Sequence, residues 1–356
     1  MVIAILQVSC ETADPVPTDE PANLTVIINI SEEEPGYIEI EAKAENTVQY
    51  SLFINGSDEA EESNTSGLFE HTFTQTGYYL IELRAYGSSG RYIKDSKEIL
   101  IDLGTNITVD DGYISPLNYE GYDLVWHDEF SGSLIDQSNW VFETGTGCPN
   151  CGWGNNELEY YRSENATLKD GVLVIEAREE KFENSNYTSA RMTTQNKQSF
   201  QYGRIDIRAL LPKGQGIWPA LWMLGNNISS IGWPACGEID IMEMIGGYET
   251  DNQVNGTLHW YNDGHTYTGN AYSLDNGLFA DEYHVFSIVW DESSIQWFVN
   301  DYKYHEIDIS PSHMTEFHDK FFFVFNVAVG GNWPGSPDAT TVFPQQMKVD
   351  YIRVFQ

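Results

Sequence analysis

The sequence predicts an all-β protein, a small two-sheet sandwich followed by a larger two-sheet antiparallel jelly roll. Three observations predict it. Apolar and polar residues alternate with period two in segment after segment, Gly, Asn and Pro punctuate them, and no stretch carries the periodicity of an amphipathic helix.

Residues 1–21 open with an apolar run, Met1 to Val8, broken only by Gln7, then Ser9-Cys10 and an acidic, Pro-containing stretch. An apolar run ending in a small residue and a Cys has the form of a bacterial lipoprotein signal, cut before Cys10 so that the thiol carries lipid. It lacks a basic start and is too short to span a bilayer. The expectation is export: a secreted or cell-surface protein, with membrane attachment through a lipidated Cys10.

Residues 22–103 carry LTVIINI, GYIEIEAKAE, TVQYSLFING, LFEHTFTQTGYYLIELRAYG and YIKDSKEILI, six or seven short strands with turns at Asn55-Gly56, Gly77 and Gly87–Gly90. That density suits an Ig-like sandwich. The segment TQTGYYLIELRAYGSSG resembles the PKD-type modules appended to polysaccharide-degrading enzymes. It holds no titratable cluster, so a spacer role is expected. Residues 104–121, polar and bearing Gly and Pro, read as a linker. From residue 122 to 356 strand signals return, a dozen or more, too many for one Ig-like unit and suited to two large packed sheets.

Composition narrows function. The 356 residues carry 54 acidic against 18 basic side chains, a formal charge of -36. Such a chain repels phosphate backbones and anionic lipid headgroups, which excludes nucleic acid as a partner and disfavours polyanionic substrates. Its 10 Trp and 21 Tyr serve strands and can also stack on sugar rings. A metal site at Cys148 and Cys151 would need a second pair, which Cys236 alone does not supply. The spacing leaves open a tight disulfide or two free thiols. Cys236 reads as a small buried hydrophobe. A monomer is the default.

The chemistry is concentrated in Gly237-Glu238-Ile239-Asp240-Ile241-Met242-Glu243-Met244. On a regular strand Glu238 and Asp240 share one face, Ile239 and Ile241 enter the core, and Glu243 falls on the wrong face. One extra residue near Ile241 or Met242, a β-bulge, returns it to the carboxylate face. Three carboxylates on one face repel one another, and burying them costs several kcal/mol unless they do something. Retaining glycoside cleavage uses such a set: a nucleophile and an acid about 5–5.5 Å apart. A solvated acidic edge is the bland alternative. A calcium loop would want Asp or Asn at every second position and a turn glycine.

The motifs LVWHDEFSG, GWGNNELEYY, YTSARMTT, YGRIDIRALLPKGQGIWPALWMLG, GWPACGEIDIMEMIG, FNVAVGGNWPGSPD and MKVDYIRVFQ together resemble glycoside hydrolase family 16, in its laminarinase-like endo-β-1,3-glucanase branch. The resemblance implies a jelly roll with a concave cleft and retaining endo-hydrolysis of neutral β-glucan, extending to mixed-linkage β-1,3/1,4-glucan. Agarase or carrageenase specificity, or a glycan-binding surface protein without catalysis, are its rivals. Carried over, Glu238 would be the nucleophile, Asp240 its assisting acid and Glu243 the general acid/base, with no cofactor in catalysis. Trp218 and Trp222, four residues apart on one strand face, and Trp233 would stack sugars. Arg191, Asn155 and Asn156 match hydroxyl-binding positions, and His259 would touch the acid/base region. Gly331, Asn332 and Trp333 resemble a loop closing over the cleft. Glu129, Gly171 and Asp350 match the ligands of a structural calcium, the first two through backbone oxygens.

Overall fold

The computed structural model describes residues 20–31, 34–74, 77–101 and 107–356, which fall into two compact units divided after Thr105. In the first unit, strands Ala22–Ile30, Tyr37–Glu45 and Leu68–Thr72 form one sheet. Glu62–Asn64, Gln49–Ile54, Gly77–Tyr86 and Tyr92–Ile101 form the other. All pairings are antiparallel. Period-two alternation turns Ile38, Ile40, Leu52, Phe69, Ile81 and Leu83 into one buried cluster between the sheets. The signal-like run and Cys10 lie outside the described residues.

The second unit packs a ten-stranded sheet against a seven-stranded one, an all-β jelly roll. The seven-stranded sheet runs, in spatial order, His265–Ser273, Gln253–Tyr261, Glu238–Glu243, Ile217–Gly225, Phe321–Val329, Arg191–Thr193 and Val141–Glu143. Its inner face (Leu221, Met223, Ile239, Met242, Leu258, Phe323 and Phe325) meets Ile205, Ile207, Phe286, Ile288 and Ile352 of the other sheet in one core. The opposite face of the seven-stranded sheet bears the acidic motif.

Residues 107–121, read from the sequence as linker, belong to the second unit and strap its ten-stranded sheet. On strand Gly203–Leu210 the residues Arg204, Asp206 and Arg208 alternate with Ile205 and Ile207, so a charged row faces outward. Arg208 is fully buried under the strap and donates to the carbonyls of Val109, Asp111 and Tyr113 at 2.6, 2.9 and 2.6 Å. Ser115 and Tyr351 share hydrogen bonds of 2.9 and 2.8 Å nearby. In a linker water meets the backbone carbonyls; here the one guanidinium of Arg208 takes up three of them.

Candidate active site

The acidic strand contains the bulge that parity requires. Against the neighbouring strand, Met242 pairs with Leu221 and Asp240 with Trp222, leaving Ile241 as the extra residue. On its other side Asp240 pairs with Thr257 and Glu243 with Asn255, so two residues oppose Gly256 alone. The bulge frees the Asp240 carbonyl from the ladder. Trp297 of the opposite sheet, fully buried, donates its indole N–H to that oxygen at 2.8 Å. Gly256 gives the indole room: a Cβ there would lie 2.4 Å from Trp297 Cδ1 and 2.6 Å from the Tyr304 hydroxyl. Glu238, Asp240 and Glu243 thereby reach one face.

Their surroundings are nearly dry and poor in cations. Asp240 is 2 % and Glu243 8 % exposed. Trp233 Nε1 donates to Glu238 Oε2 at 2.9 Å, and Trp218 Nε1 to Glu243 Oε1 at 3.1 Å. His259 Nε2 stands 3.2 Å from Asp240 Oδ2 and 3.7 Å from Glu238 Oε1. Asp240 Oδ2 is buried and has no hydrogen-bond donor among the described residues. Burial pushes all three carboxyls upward. Glu238 rises to about 8, through burial first and the Asp240 charge second, opposed by His259, Trp233 and Arg191. Glu243 rises well above its ordinary value through burial, then through both other carboxylates. His259, Trp233 and Arg191 oppose the rise at Glu238, and His259 and Trp218 oppose it at Glu243.

The other expected residues gather around this trio. Trp218 stacks edge-on with Trp333, centroids 5.7 Å apart, beside the carboxylates rather than in the core. Trp222 donates to Asn326 Oδ1 at 2.8 Å and lies 4.8 Å from the Arg191 guanidinium, which also covers Trp153 at 4.6 Å. Arg191 pairs with Glu143, so its charge is engaged before any ligand arrives. Trp233 and Trp333 are about half exposed. Asn156 donates to Asn332 Oδ1 at 2.7 Å, and the Asn332 N–H to the Asn155 carbonyl at 2.7 Å, closing two loops onto each other.

Sequence reading missed His265, whose Nε2 lies 2.8 Å from His259 Nδ1 and whose ring stacks on it. It also missed Asn326, a buried amide inside the apolar run Phe321–Val329. One polar residue in a continuous hydrophobic strand was the available signal. Cys148 and Cys151 are joined as a disulfide, and Cys236 is a buried free thiol pushed up to about 11 by burial. Of the calcium candidates, Glu129 accepts from Arg353 at 2.9 and 2.7 Å. Asp350 accepts from Arg208 at 2.9 Å, and Gly171 sits at φ 83° in a tight hairpin. The Glu129 carboxylate is thus committed, which fits an ion only through its backbone oxygen.

Paired Glu residues on a bulged strand, set among indoles with an acid between them, define a carbohydrate-cleaving type of site. The model of the glycosyl hydrolases family 16 matches residues 151–353, and the chain belongs to that family. The Beta-glucanase of Rhodothermus marinus is 42 % identical, over 66 % of this chain and 85 % of its own. The Clotting factor G alpha subunit of Tachypleus tridentatus is also 42 % identical, over 66 % of this chain but only 34 % of its own length. This chain thus spans about a third of that relative. The crystal structure of the laminarinase catalytic domain from Thermotoga maritima superposes with TM-score 0.62 at 50 % identity, covering 66 % of this chain and 98 % of that one.

Proposed function

We propose that this chain is a retaining endo-β-1,3-glucanase acting on neutral β-glucan of the laminarin type, with mixed-linkage β-1,3/1,4-glucan as a second substrate. The relatives include both a glucanase and a clotting-factor subunit, so family membership alone leaves hydrolysis open. One observation carries the reading: the bulge at Ile241 puts Glu238, Asp240 and Glu243 on one face without a guanidinium or ammonium paired to any of them. A binding protein gains nothing from burying mutually repelling carboxyls.

In this mechanism Glu238, ionised, attacks the anomeric carbon while Glu243 protonates the departing glycosidic oxygen. A glycosyl ester on Glu238 results. Glu243, now a carboxylate, takes a proton from water, whose oxygen displaces Glu238 and restores both groups. Asp240, held protonated by burial, shares its proton with Glu238 and damps the repulsion among the three. The low Lys and Arg content argues against sulfated agar- or carrageenan-type substrates.

The same reading covers the rest of the chain. The N-terminal sandwich acts as a PKD- or Ig-like spacer, and export with lipid at Cys10 rests on the sequence alone. A structural calcium at the Glu129 and Gly171 backbone oxygens and Asp350 would brace the ten-stranded sheet. Chelation that leaves the melting temperature unmoved would sink that part.

The deciding experiment is the product profile from laminarin and barley mixed-linkage glucan, for wild type beside Glu238→Ser. Short β-1,3-linked oligosaccharides of retained anomeric configuration, absent from the variant, are expected. Release that survives in the variant would show that the carboxylate roles are misassigned.

A further inference from the structure

A second carboxyl pair lies outside the acidic strand and has no part in bond cleavage. Glu159 is 1 % exposed, and its Oε2 accepts the Val329 N–H at 2.7 Å. Its Oε1 is buried without a donor. Burial, and then the neighbouring charge of Glu157, raise Glu159 well above the ordinary carboxylate range. A proton on Glu159 resolves the orphaned oxygen, because it can be donated to the Glu157 carboxylate.

Glu157 then ends a one-way chain of donors. Trp222 Nε1 donates to Asn326 Oδ1 at 2.8 Å, and Asn326 Nδ2 donates to the Tyr161 hydroxyl at 3.1 Å. That hydroxyl donates to Glu157 Oε2 at 3.0 Å, while Asn155 Nδ2 donates to Glu157 Oε1 at 3.1 Å. Tyr161 is fully buried and Asn326 5 % exposed, so the hydrogen bonds are shielded from water. Both ends of the chain are surfaces assigned above to sugar contact: the Trp222 indole, and the loop of Asn155 that Asn332 closes. The segment 155–161 and strand Phe321–Val329 supply the links.

We propose that Glu157 is a positioning residue that locks the Trp222 platform and the Asn155 loop into one substrate-binding wall. It touches no reacting atom, and this role rests on the hydrolase reading above. An amide in place of Glu157 offers one acceptor oxygen where the carboxylate offers two, so either the Tyr161 hydroxyl or the Asn155 amide must turn to accept, and the hydrogen bonds to a charged group are lost.

The test is steady-state kinetics on laminarin for wild type, Glu157→Gln and Tyr161→Phe, with oligosaccharide dissociation constants measured calorimetrically in the Glu238→Ser background. Glu157→Gln is expected to raise KM and the dissociation constant about tenfold, with kcat within about twofold, the loss of one buried hydrogen bond to a charged group. Tyr161→Phe, the safer variant for folding, raises both about threefold. The double variant falls short of the product of the singles, because both act through one chain. A fall in melting temperature with KM within twofold of wild type would make the network merely structural and overturn the proposal. A wild-type chain that hydrolyses no glucan overturns the functional reading and this inference together. An active wild type beside an unaltered Glu157→Gln overturns this inference alone.

Discussion

The two sheets of the jelly roll bury carboxylates in opposite ways. On the outward face of the ten-stranded sheet three have a guanidinium: Asp206 with Arg204 at 2.8 Å, Asp350 with Arg208 at 2.9 Å, Glu129 with Arg353 at 2.7 Å. On the seven-stranded sheet Glu238, Asp240 and Glu243 have only indole N–H groups and His259. Charge matched by charge braces a fold. Charge left unmatched is driven toward the protonated form and stores the repulsion that acid–base chemistry uses. Carboxylates paired with guanidinium groups thus form a clamp on one sheet, and those left without one form the proposed reaction centre on the other.

That contrast can be broken at four points. The largest effect is expected at Glu238→Gln, where kcat/KM on laminarin falls on the order of 10⁴-fold or more. The same variant melts no lower than wild type, since it removes a buried carboxyl that has no guanidinium partner; a clear drop in melting temperature would erase the distinction between the sheets. Arg208→Met should do the reverse. Urea unfolding should show a loss of about 3–5 kcal/mol, because Asp350 and three strap carbonyls lose their donor, with kcat preserved in the folded protein.

Gly256→Ala probes the bulge. Its Cβ collides with Trp297 and Tyr304, and the resulting shift of Glu243 is expected to lower kcat about 100-fold while KM changes little. Wild-type kcat would mean the carboxylate geometry does not depend on Trp297. The smallest effect is in pH dependence. Glu238 rises from 4.5 to about 8 on folding, so the folded chain holds that proton more tightly than the unfolded one. Its contribution is complete below pH 4.5 and is lost as pH climbs toward about 8. Across that window the slope of stability against pH should be shallower in Glu238→Gln by at most about 1.4 kcal/mol per pH unit. Parallel slopes would show that folding does not raise Glu238.

Much of this was legible in the chain. Period two marked the strands, because side chains alternate faces whatever they pack against. The same parity placed Trp218 and Trp222 on one face and demanded the bulge before Glu243 could join Asp240. Residues 107–121 were not legible as a strap, since a polar Gly- and Pro-bearing stretch looks alike whether water or Arg208 takes up its carbonyls. His265 was missed because a single His after a hairpin turn carries no pattern.

By itself, then, the sequence determined the all-β architecture, the carboxylate triad and the low overall content of Lys and Arg. These are properties of composition and of near neighbours along one strand. Tertiary structure alone decided that the Trp297 indole crosses the sandwich to the Asp240 carbonyl, that Gly256 leaves it room, and that Glu157 reaches Trp222 through Tyr161 and Asn326. Trp297 lies 57 positions from Asp240, and Asn326 lies 165 from Tyr161. Over such separations local periodicity carries no information about which groups meet. Only the packing of the sheets, and the requirement that every buried polar group find a partner, selects them.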